Sequence, residues 1–168
     1  RARATIDFET LTNNYAKNDM GIEENPAFQL SIVLTRKEGT VVRKNYFLKL
    51  PEGYEYSDTI QGKFHGISKK QYEEADKIDI NNPEDIARFK KELEQEGIVL
   101  DKETIVMAHN LTYDLRYLQK VGFTEDFIVF DTLPFLRVLY NKSAYTSELT
   151  RINQELWAKI PHNSRLMY

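Results

Sequence analysis

The sequence contains no cysteine at all, and this absence narrows the chemistry that the protein can perform. Disulfide frameworks, thiolate zinc sites and cysteine nucleophiles are excluded, so any metal must be bound by oxygen or imidazole ligands. Long apolar runs are also missing, since no stretch approaches the roughly 18 consecutive apolar residues that a membrane helix needs. The first residues lack the uninterrupted apolar stretch of a signal peptide. These absences predict a soluble, cytoplasmic protein that does not bind membranes.

Basic residues are not in excess, because the net charge is −3 over 168 residues. A protein that coats long nucleic acids relies on many phosphate contacts from a basic surface, so the charge argues against that class. It does not exclude an enzyme that holds only a few terminal nucleotides. The length suits one domain, and neither repeats nor linker-like segments divide the chain. We therefore expect a single domain over residues 1–168.

The apolar pattern predicts strands first and then an alternation of strands with helices. The predicted strands span residues 2–8, 28–34, 41–48, 104–108 and 127–130. The predicted helices run from Pro83 to a stop at Gly97, from Leu111 to a stop at Gly122, and over residues 133–139 and 149–156. Early strands joined by a hairpin pair antiparallel, whereas β-α-β units pair parallel. The pattern therefore predicts an α/β fold with a mixed five-stranded sheet flanked by helices.

Asp7 and Glu9 stand two residues apart on the first predicted strand, so both side chains project from the same face while Phe8 points to the other. Two carboxylates this close raise each other's proton affinity unless a cation neutralises them. Hard divalent cations such as Mg²⁺ prefer oxygen ligands of this kind. The pair also follows the apolar Ile6, at the strand end where ligands bind in open sheets. Asp7 and Glu9 are therefore candidate metal ligands.

A second group of polar residues, from His109 to Asp114, lies where a buried strand gives way to a helix. Asp114 falls within the apolar stripe of that helix, where an unpaired carboxylate is costly, so it needs Arg116 or a metal as a partner. Asn110 either caps the helix or contacts substrate. Tyr113, beside Asp114, has an aromatic face on which a base could stack.

Four segments resemble, in order, those of the DEDDh 3′-to-5′ exonucleases, a family that includes the proofreading exonucleases of bacterial and phage replicative polymerases. They are Ile6-Asp7-Phe8-Glu9-Thr10, Phe64-His65-Gly66-Ile67-Ser68, Ala108-His109-Asn110-Leu111-Thr112-Tyr113-Asp114 and Phe130-Asp131-Thr132-Leu133. The resemblance implies a ribonuclease H-like fold and two Mg²⁺ ions, for which Mn²⁺ can substitute. By this resemblance Asp7, Glu9 and Asp114 match the metal ligands, and Phe8, Thr10, Leu11, Ile67, Asn110 and Tyr113 match positions that hold the terminal nucleotide. We expect His65 to approach the substrate from a loop and not to bind metal.

The last motif of the family is a histidine followed five residues later by an aspartate. His162 stands where that histidine belongs, and the resemblance makes it the base that activates water. The fifth residue after it is Met167. Either the aspartate lies beyond Tyr168, or residues are missing around the motif, or the fourth ligand has been lost. We favour a domain that is incomplete at its C-terminal helix.

The implied reaction is hydrolysis of the terminal phosphodiester at the single-stranded 3′ end of DNA or RNA, with release of nucleoside 5′-monophosphates. A DNA polymerase subunit or domain is a possible partner in this class. Three alternatives stay open at this point. The chain could be a catalytically impaired module that binds nucleic acid or protein, a ribonuclease H-like nuclease that cuts internally, or a proofreading domain with tyrosine in place of His162.

Overall fold

The computed structural model describes residues 1–11, 25–124 and 126–140, which form a six-stranded sheet with helices packed against it. The strands are β1 (Arg3–Thr10), β2 (Ala27–Thr35), β3 (Val41–Leu48), β4 (Lys77–Ile78), β5 (Ile105–Ala108) and β6 (Ile128–Asp131). The helices are α1 (Lys63–His65), α2 (Lys69–Glu74), α3 (Pro83–Gln95), α4 (Leu111–Lys120) and α5 (Thr132–Tyr140), and a π-helical turn spans Asp58–Gly62. The strand order β4-β3-β2-β1-β5-β6 places β1 in the interior of the sheet.

The sheet is mixed, and β1 joins its antiparallel half to its parallel half. β1 pairs antiparallel with β2, and β2 pairs antiparallel with β3 through a tight turn at Gly39. Gly39 has φ +93°, a left-handed conformation that glycine adopts without the strain a side chain would cause. On its other side β1 pairs parallel with β5, and β5 pairs parallel with β6. The carboxyl ends of β1, β5 and β6 therefore meet at one edge of the sheet.

Alternate residues of β1 form the centre of the hydrophobic core. Ala4, Ile6 and Phe8 are 0%, 1% and 4% exposed, whereas the residues between them face outwards. Helices α3 and α4 cover the buried face with Phe89, Leu93, Tyr117 and Leu118. Burying each of these large apolar side chains contributes about 1.5 to 3 kcal/mol. The strand that carries Asp7 and Glu9 is thus held in place by the packing of its buried face.

A smaller apolar cluster packs the segment between β3 and β4 against the sheet. Phe28, Tyr56 and Tyr72 are buried in it, and each tyrosine hydroxyl donates to a backbone carbonyl. Tyr56 donates to Ile67 O at 2.8 Å, and Tyr72 donates to Leu48 O at 2.5 Å. Because buried hydroxyls need such acceptors, these bonds fix the path of the segment that contains α1 and α2.

The mixed α/β sheet predicted from the sequence is confirmed, with a few differences in detail. All five predicted strands form, and the sixth strand is β4, which is too short, at two residues, to leave a periodic pattern. The predicted helix at Pro83 forms with Asn82 as its cap, and the π-helical turn, α1 and α2 were not predicted. The helix predicted over residues 149–156 lies outside the described residues. No helix in the described part of the chain is long and apolar enough to cross a membrane.

Candidate active site

Asp7 and Glu9 project from the outer face of β1, as their spacing predicts, while Phe8 between them is buried. The register of β1 with β2 shifts between Glu9 and Thr10, so β1 has an irregularity at its carboxyl end. Such irregularities bend a strand and re-aim its side chains, and they are common beside active sites. The carboxylates thus lie at the end of an interior strand, beside the end of β5.

Asp114 reaches this strand from the first turn of α4. Its Oδ1 accepts a hydrogen bond from the backbone N–H of Phe8 at 2.9 Å, which ties α4 to β1 between the two other acids. The side chain was predicted to lie beside the core, and Asp114 is only 3% exposed. Burial, opposed by the Phe8 hydrogen bond and reinforced by the charges of Asp7 and Asp131, raises the pKa of Asp114 from 3.8 to about 7. Ionised Asp114 is therefore poorly compensated by the protein itself.

Arg116, one of the two partners expected for Asp114, takes another position. No ion pair between the two side chains is found in the described part of the chain, and the Arg116 guanidinium lies over the ring of Tyr113, 5.5 Å from its centroid. Its Nε is buried without a hydrogen-bond partner among the described residues. The cation–π contact partly compensates the guanidinium. The remaining expected partner of Asp114 is a metal ion.

Glu9 has the other strongly perturbed carboxyl group at this edge of the sheet. Burial, the charge of Asp7, a hydrogen bond with Asp7 and the charge of Asp114 together raise the pKa of Glu9 from 4.5 to about 7. The causes themselves show that the three acids interact. Since neighbouring acids make ionisation of Glu9 and Asp114 harder, a cation placed among them would favour the charged forms of these two groups.

His65 approaches the same acids from α1. Its Nε2 lies 3.7 Å from Glu9 Oε2, and its ring packs edge-to-face on Phe28 with the centroids 5.1 Å apart. Burial lowers the pKa of His65, although the charge of Asp7 opposes this shift. Because the pKa of Glu9 is raised at the same time, both shifts favour neutral side chains and weaken the ion pair between His65 and Glu9. The structure places His65 at the edge of the acidic group, on a helical turn where the sequence predicted a loop.

Asp131 organises the start of α4 from the end of β6. Its Oδ1 accepts from Asn110 N at 3.0 Å and from Leu133 N at 2.9 Å, and its Oδ2 accepts from Leu111 N at 3.0 Å. Asn110 has φ 66° and makes no side-chain cap bond, so the capping role considered for it is wrong. Asp131 accepts from the amides of Asn110 and Leu111, whereas a capping side chain would accept from the second or third residue of the helix. This leaves the exposed Asn110 side chain available at the site edge.

Tyr113 is held by a polar network at the end of β1. Its hydroxyl lies 2.7 Å from Thr10 Oγ1 and accepts from Asn25 Nδ2 at 3.0 Å, and Asn25 Nδ2 also donates to Thr10 Oγ1 at 3.1 Å. Tyr117 donates to the Asn25 carbonyl at 2.6 Å. Thr10 is buried, so its hydroxyl serves this network. The network fixes the Tyr113 ring near Asp114 but uses its polar end for structure.

The other residues matched to the terminal nucleotide divide into two groups. Leu11 and Ile67 are both half-buried and pack against the same aromatic cluster of Phe28, Tyr56 and Tyr72. Phe8 belongs to the main core, 5.5 Å from the ring of Tyr117, so its backbone and not its ring lies at the site.

His162 lies outside the described residues, so its predicted role stays a prediction.

Comparison with solved structures places this architecture among known folds. The chain is similar to E. coli exonuclease I in complex with a dT13 oligonucleotide, with TM-score 0.54 and 15% identity over 83% of this chain and 29% of that one. It is similar to exonuclease I in its apo form, with TM-score 0.55, 15% identity and 83% and 30% coverage. A product-bound structure of exonuclease I gives TM-score 0.55, 15% identity and 83% and 31% coverage. The ribonuclease H-like fold is shared with exonuclease I.

That likeness extends to the fold alone, because the sequences are so different. The chain spans about three tenths of the length of the exonuclease I chains. No family model matches the sequence, and no curated protein matches it.

The acids fit a divalent cation by their chemistry more than by their arrangement. In the described part of the chain, no group of three or more His, Asp or Glu side chains is arranged as a ready metal centre. The raised pKa values of Glu9 and Asp114 nevertheless mark two carboxyl groups whose negative charge the protein compensates poorly. Carboxylate oxygens are the ligands that Mg²⁺ and Mn²⁺ prefer. The residues present therefore fit such an ion.

Three residues of the site were not identified from the sequence. Asp131 was noticed only as part of a motif, and its position at the end of a parallel strand was the signal for a role at this edge. Asn25 lies outside every predicted strand and helix, and its contacts with Thr10 and Tyr113 depend on pairings across the fold. Gln61, a buried amide beside Leu11, gave no signal in the local pattern.

Proposed function

We propose that the chain is a metal-dependent 3′-to-5′ exonuclease domain of the DEDDh type. The observation that carries the proposal is the hydrogen bond from Phe8 N to Asp114 Oδ1 at 2.9 Å. It brings an acid from α4 to the strand that carries Asp7 and Glu9, across a large separation in sequence. A structural core has no need for three interacting carboxyl groups, whereas a phosphodiesterase that uses metal ions does.

Asp7, Glu9 and Asp114 are the residues that would hold two Mg²⁺ ions. Bound Mg²⁺ supplies charge stabilisation for the phosphate and lowers the pKa of water. His162 is proposed to accept a proton from the attacking water, for which imidazole has a suitable pKa. Because hydrolysis then breaks the bond to the 3′ oxygen of the preceding nucleotide, the product is a nucleoside 5′-monophosphate.

The remaining residues are proposed to position the terminal nucleotide. Leu11 and Ile67 offer apolar contact with the sugar or base, and His65 and Asn110 offer polar contact at the site edge. The ring of Tyr113 is proposed as a stacking surface, although its hydroxyl is bound by Thr10 and Asn25 and the Arg116 guanidinium lies over the ring. Thr10 and the Phe8 backbone support these contacts from behind. None of these groups reads a base edge, which suits an enzyme that degrades any sequence.

Single-stranded DNA is the substrate that we favour. Exonuclease I, whose fold this chain shares, has been solved with a dT13 oligonucleotide, and the acidic net charge suits a grip on only a few nucleotides. RNA and the primer end bound by a polymerase are the other substrates of this class with which single-stranded DNA should be compared.

The proposal is tested with 5′-end-labelled single-stranded DNA and RNA of equal sequence. We expect a ladder that shortens from the 3′ end in Mg²⁺ or Mn²⁺, no cleavage in EDTA, and protection of an oligonucleotide that carries a 3′ phosphate. Internal fragments, or cleavage that survives EDTA, would contradict the proposal. Binding of the oligonucleotide without cleavage would favour the alternative, a catalytically impaired binding module.

A further inference from the structure

Gln61 has an unusual position for a polar side chain. It lies in the π-helical turn Asp58–Gly62 and is only 5% exposed. Its Nε2 donates to the carbonyl of Leu11 at 2.6 Å, and its Oε1 accepts from Ser57 N at 2.8 Å. Both ends of the amide are therefore satisfied, which is the usual condition for burying such a group.

The hydrogen bond to Leu11 joins two segments that are far apart in sequence. Leu11 directly follows β1, the strand that carries Asp7 and Glu9, whereas Gln61 precedes α1 and its terminal residue His65. The two partners are separated by 50 residues, and the contact lies beside the aromatic cluster on which Leu11 and Ile67 both pack. A π-helical turn is a rare element that appears frequently at functional sites.

Ile67 is held on the opposite side by similar contacts. Tyr56 donates to its carbonyl at 2.8 Å. A Cβ added at Gly62 would lie 2.9 Å from the same carbonyl oxygen, so the turn already packs closely against it. The carbonyls of Leu11 and Ile67 are thus both fixed by the segment from Tyr56 to Gly62. The spacing between the two apolar side chains follows from this segment.

We propose that Gln61 is a positioning residue that fixes the backbone of Leu11 relative to the His65–Ile67 segment, and thereby sets the affinity for the terminal nucleotide. The inference rests on the proposed function, because Leu11 and Ile67 are its contacts for that nucleotide. Gln61 touches neither the acids nor the scissile bond in this arrangement. Its loss therefore weakens substrate binding and leaves the rate of hydrolysis of bound substrate nearly unchanged.

The test compares two substitutions of Gln61 with a matched control. Gln61→Met keeps the size of the side chain and removes both hydrogen bonds, while Gln61→Glu keeps an acceptor for Ser57 N and removes the donor to Leu11. Tyr72→Phe is the control, because it removes a buried hydrogen bond in the same aromatic cluster whose acceptor is the Leu48 carbonyl and not that of Leu11 or Ile67. Gly62→Ala is a further variant, which displaces the Ile67 carbonyl without removing a hydrogen-bonding side chain.

Binding is measured by fluorescence anisotropy with 5′-fluorescein-labelled oligodeoxythymidine in EDTA, and KM and kcat are measured in Mg²⁺. We expect both Gln61 variants to raise Kd and KM about tenfold, which corresponds to the free energy of one hydrogen bond. The value of kcat should change less than about twofold. Gly62→Ala should raise KM as well. Tyr72→Phe should lower the melting temperature about as much as the Gln61 substitutions do, and it should leave KM unchanged.

Amide hydrogen exchange at Ser57 supplies a readout that does not depend on activity, since its N–H should exchange faster in Gln61→Met. Unchanged exchange at Ser57, unchanged KM in both Gln61 variants, or an equal rise of KM in Tyr72→Phe would each overturn the role of Gln61. A wild-type protein that neither binds nor cleaves the oligonucleotide would overturn the proposed function, and this inference with it.

Discussion

Replacement of Asp114 by asparagine should stabilise the metal-free protein at neutral and alkaline pH. Asp114 is 3% exposed, and its pKa is raised from 3.8 to about 7, chiefly by burial. Asparagine keeps an oxygen that can accept the hydrogen bond from Phe8 N, but it carries no charge. The substitution therefore removes the cost of ionisation and retains the contact between α4 and β1.

The pH window follows from the direction of this shift. A carboxyl group whose pKa is raised on folding binds its proton more tightly in the folded state than in the unfolded chain. Its stabilising contribution is complete below the unfolded pKa near 3.8 and is lost as the pH rises through about 7. The stability difference between Asp114→Asn and wild type should therefore grow over this range. Loss of the Asp114 charge also relieves Glu9, which adds to the effect in the same direction.

The pKa values set the size of the expected change. A rise from 3.8 to about 7 corresponds to at most about 4 kcal/mol at pH values above both. Relaxation and water penetration reduce such costs, so we expect a measured difference of about 2 kcal/mol. For a chain of this size that is about 4 to 8 °C in melting temperature. The lowered pKa of His65 acts in the opposite direction but is present in both proteins, so it largely cancels in the difference.

Thermal unfolding by circular dichroism in EDTA, from about pH 5 to about pH 8, measures this difference. Glu74→Gln is the matched control, because its side chain is 67% exposed and removing its charge should give no trend of this kind. At the upper end of the range, added Mg²⁺ should stabilise wild type more than Asp114→Asn. A difference between the two proteins that stays constant with pH would refute the argument that Asp114 is an uncompensated buried acid.

Four further predictions concern the acids of the site, His162 and Asp131. The double change Asp7→Ala and Glu9→Ala should abolish metal-dependent cleavage while circular dichroism shows a folded protein, and hydrolysis at the wild-type rate would refute the assignment. Anomalous scattering from crystals soaked in Mn²⁺ should place an ion among Asp7, Glu9 and Asp114, and an ion bound elsewhere would contradict this. If His162 is the general base, His162→Ala should lower kcat by about 10²- to 10⁴-fold and leave oligonucleotide binding intact, whereas an unchanged kcat would exclude that role. Asp131→Ala leaves three backbone amides without their acceptor and should lower the free energy of unfolding by about 2 to 4 kcal/mol in chemical denaturation, and a change within experimental error would contradict its role at α4.

The sequence predicts those parts of the fold whose signals are local. Asn82 and Pro83 mark the start of α3, and the alternation along β1 places Asp7 and Glu9 on one face. The apolar stripe of α4 correctly indicates that Asp114 is buried. Each of these inferences depends on neighbours within a few residues, where propensity and periodicity act.

What the sequence could not predict depends on contacts between distant segments. Asn110 occupies the expected capping position, but its side chain makes no capping bond, and Asp131 of β6 binds the amides of Asn110 and Leu111. Arg116 stands close to Asp114 in sequence, yet its guanidinium lies over Tyr113. Gln61 is buried because the carbonyl of Leu11 lies opposite it, and no local pattern reports such an acceptor. In each case the tertiary fold determines which of several polar groups becomes the partner of the side chain.

The residues of the candidate site come from segments that are far apart in the sequence, and this separation has a consequence for the folding kinetics. The bond from Phe8 to Asp114 joins residues 106 apart, and the contact of Thr10 with Tyr113 joins residues 103 apart. Strands β1, β2 and β3 can pair early through shorter loops, but Asp114 meets Asp7 and Glu9 only after β5 and α4 have docked on β1, and closing so long a loop is slow. The repulsion between Asp114 and these two acids is then absent for much of the folding reaction. It therefore acts mainly on the rate of unfolding, so a bound cation should prolong the lifetime of the native state more than it speeds its formation.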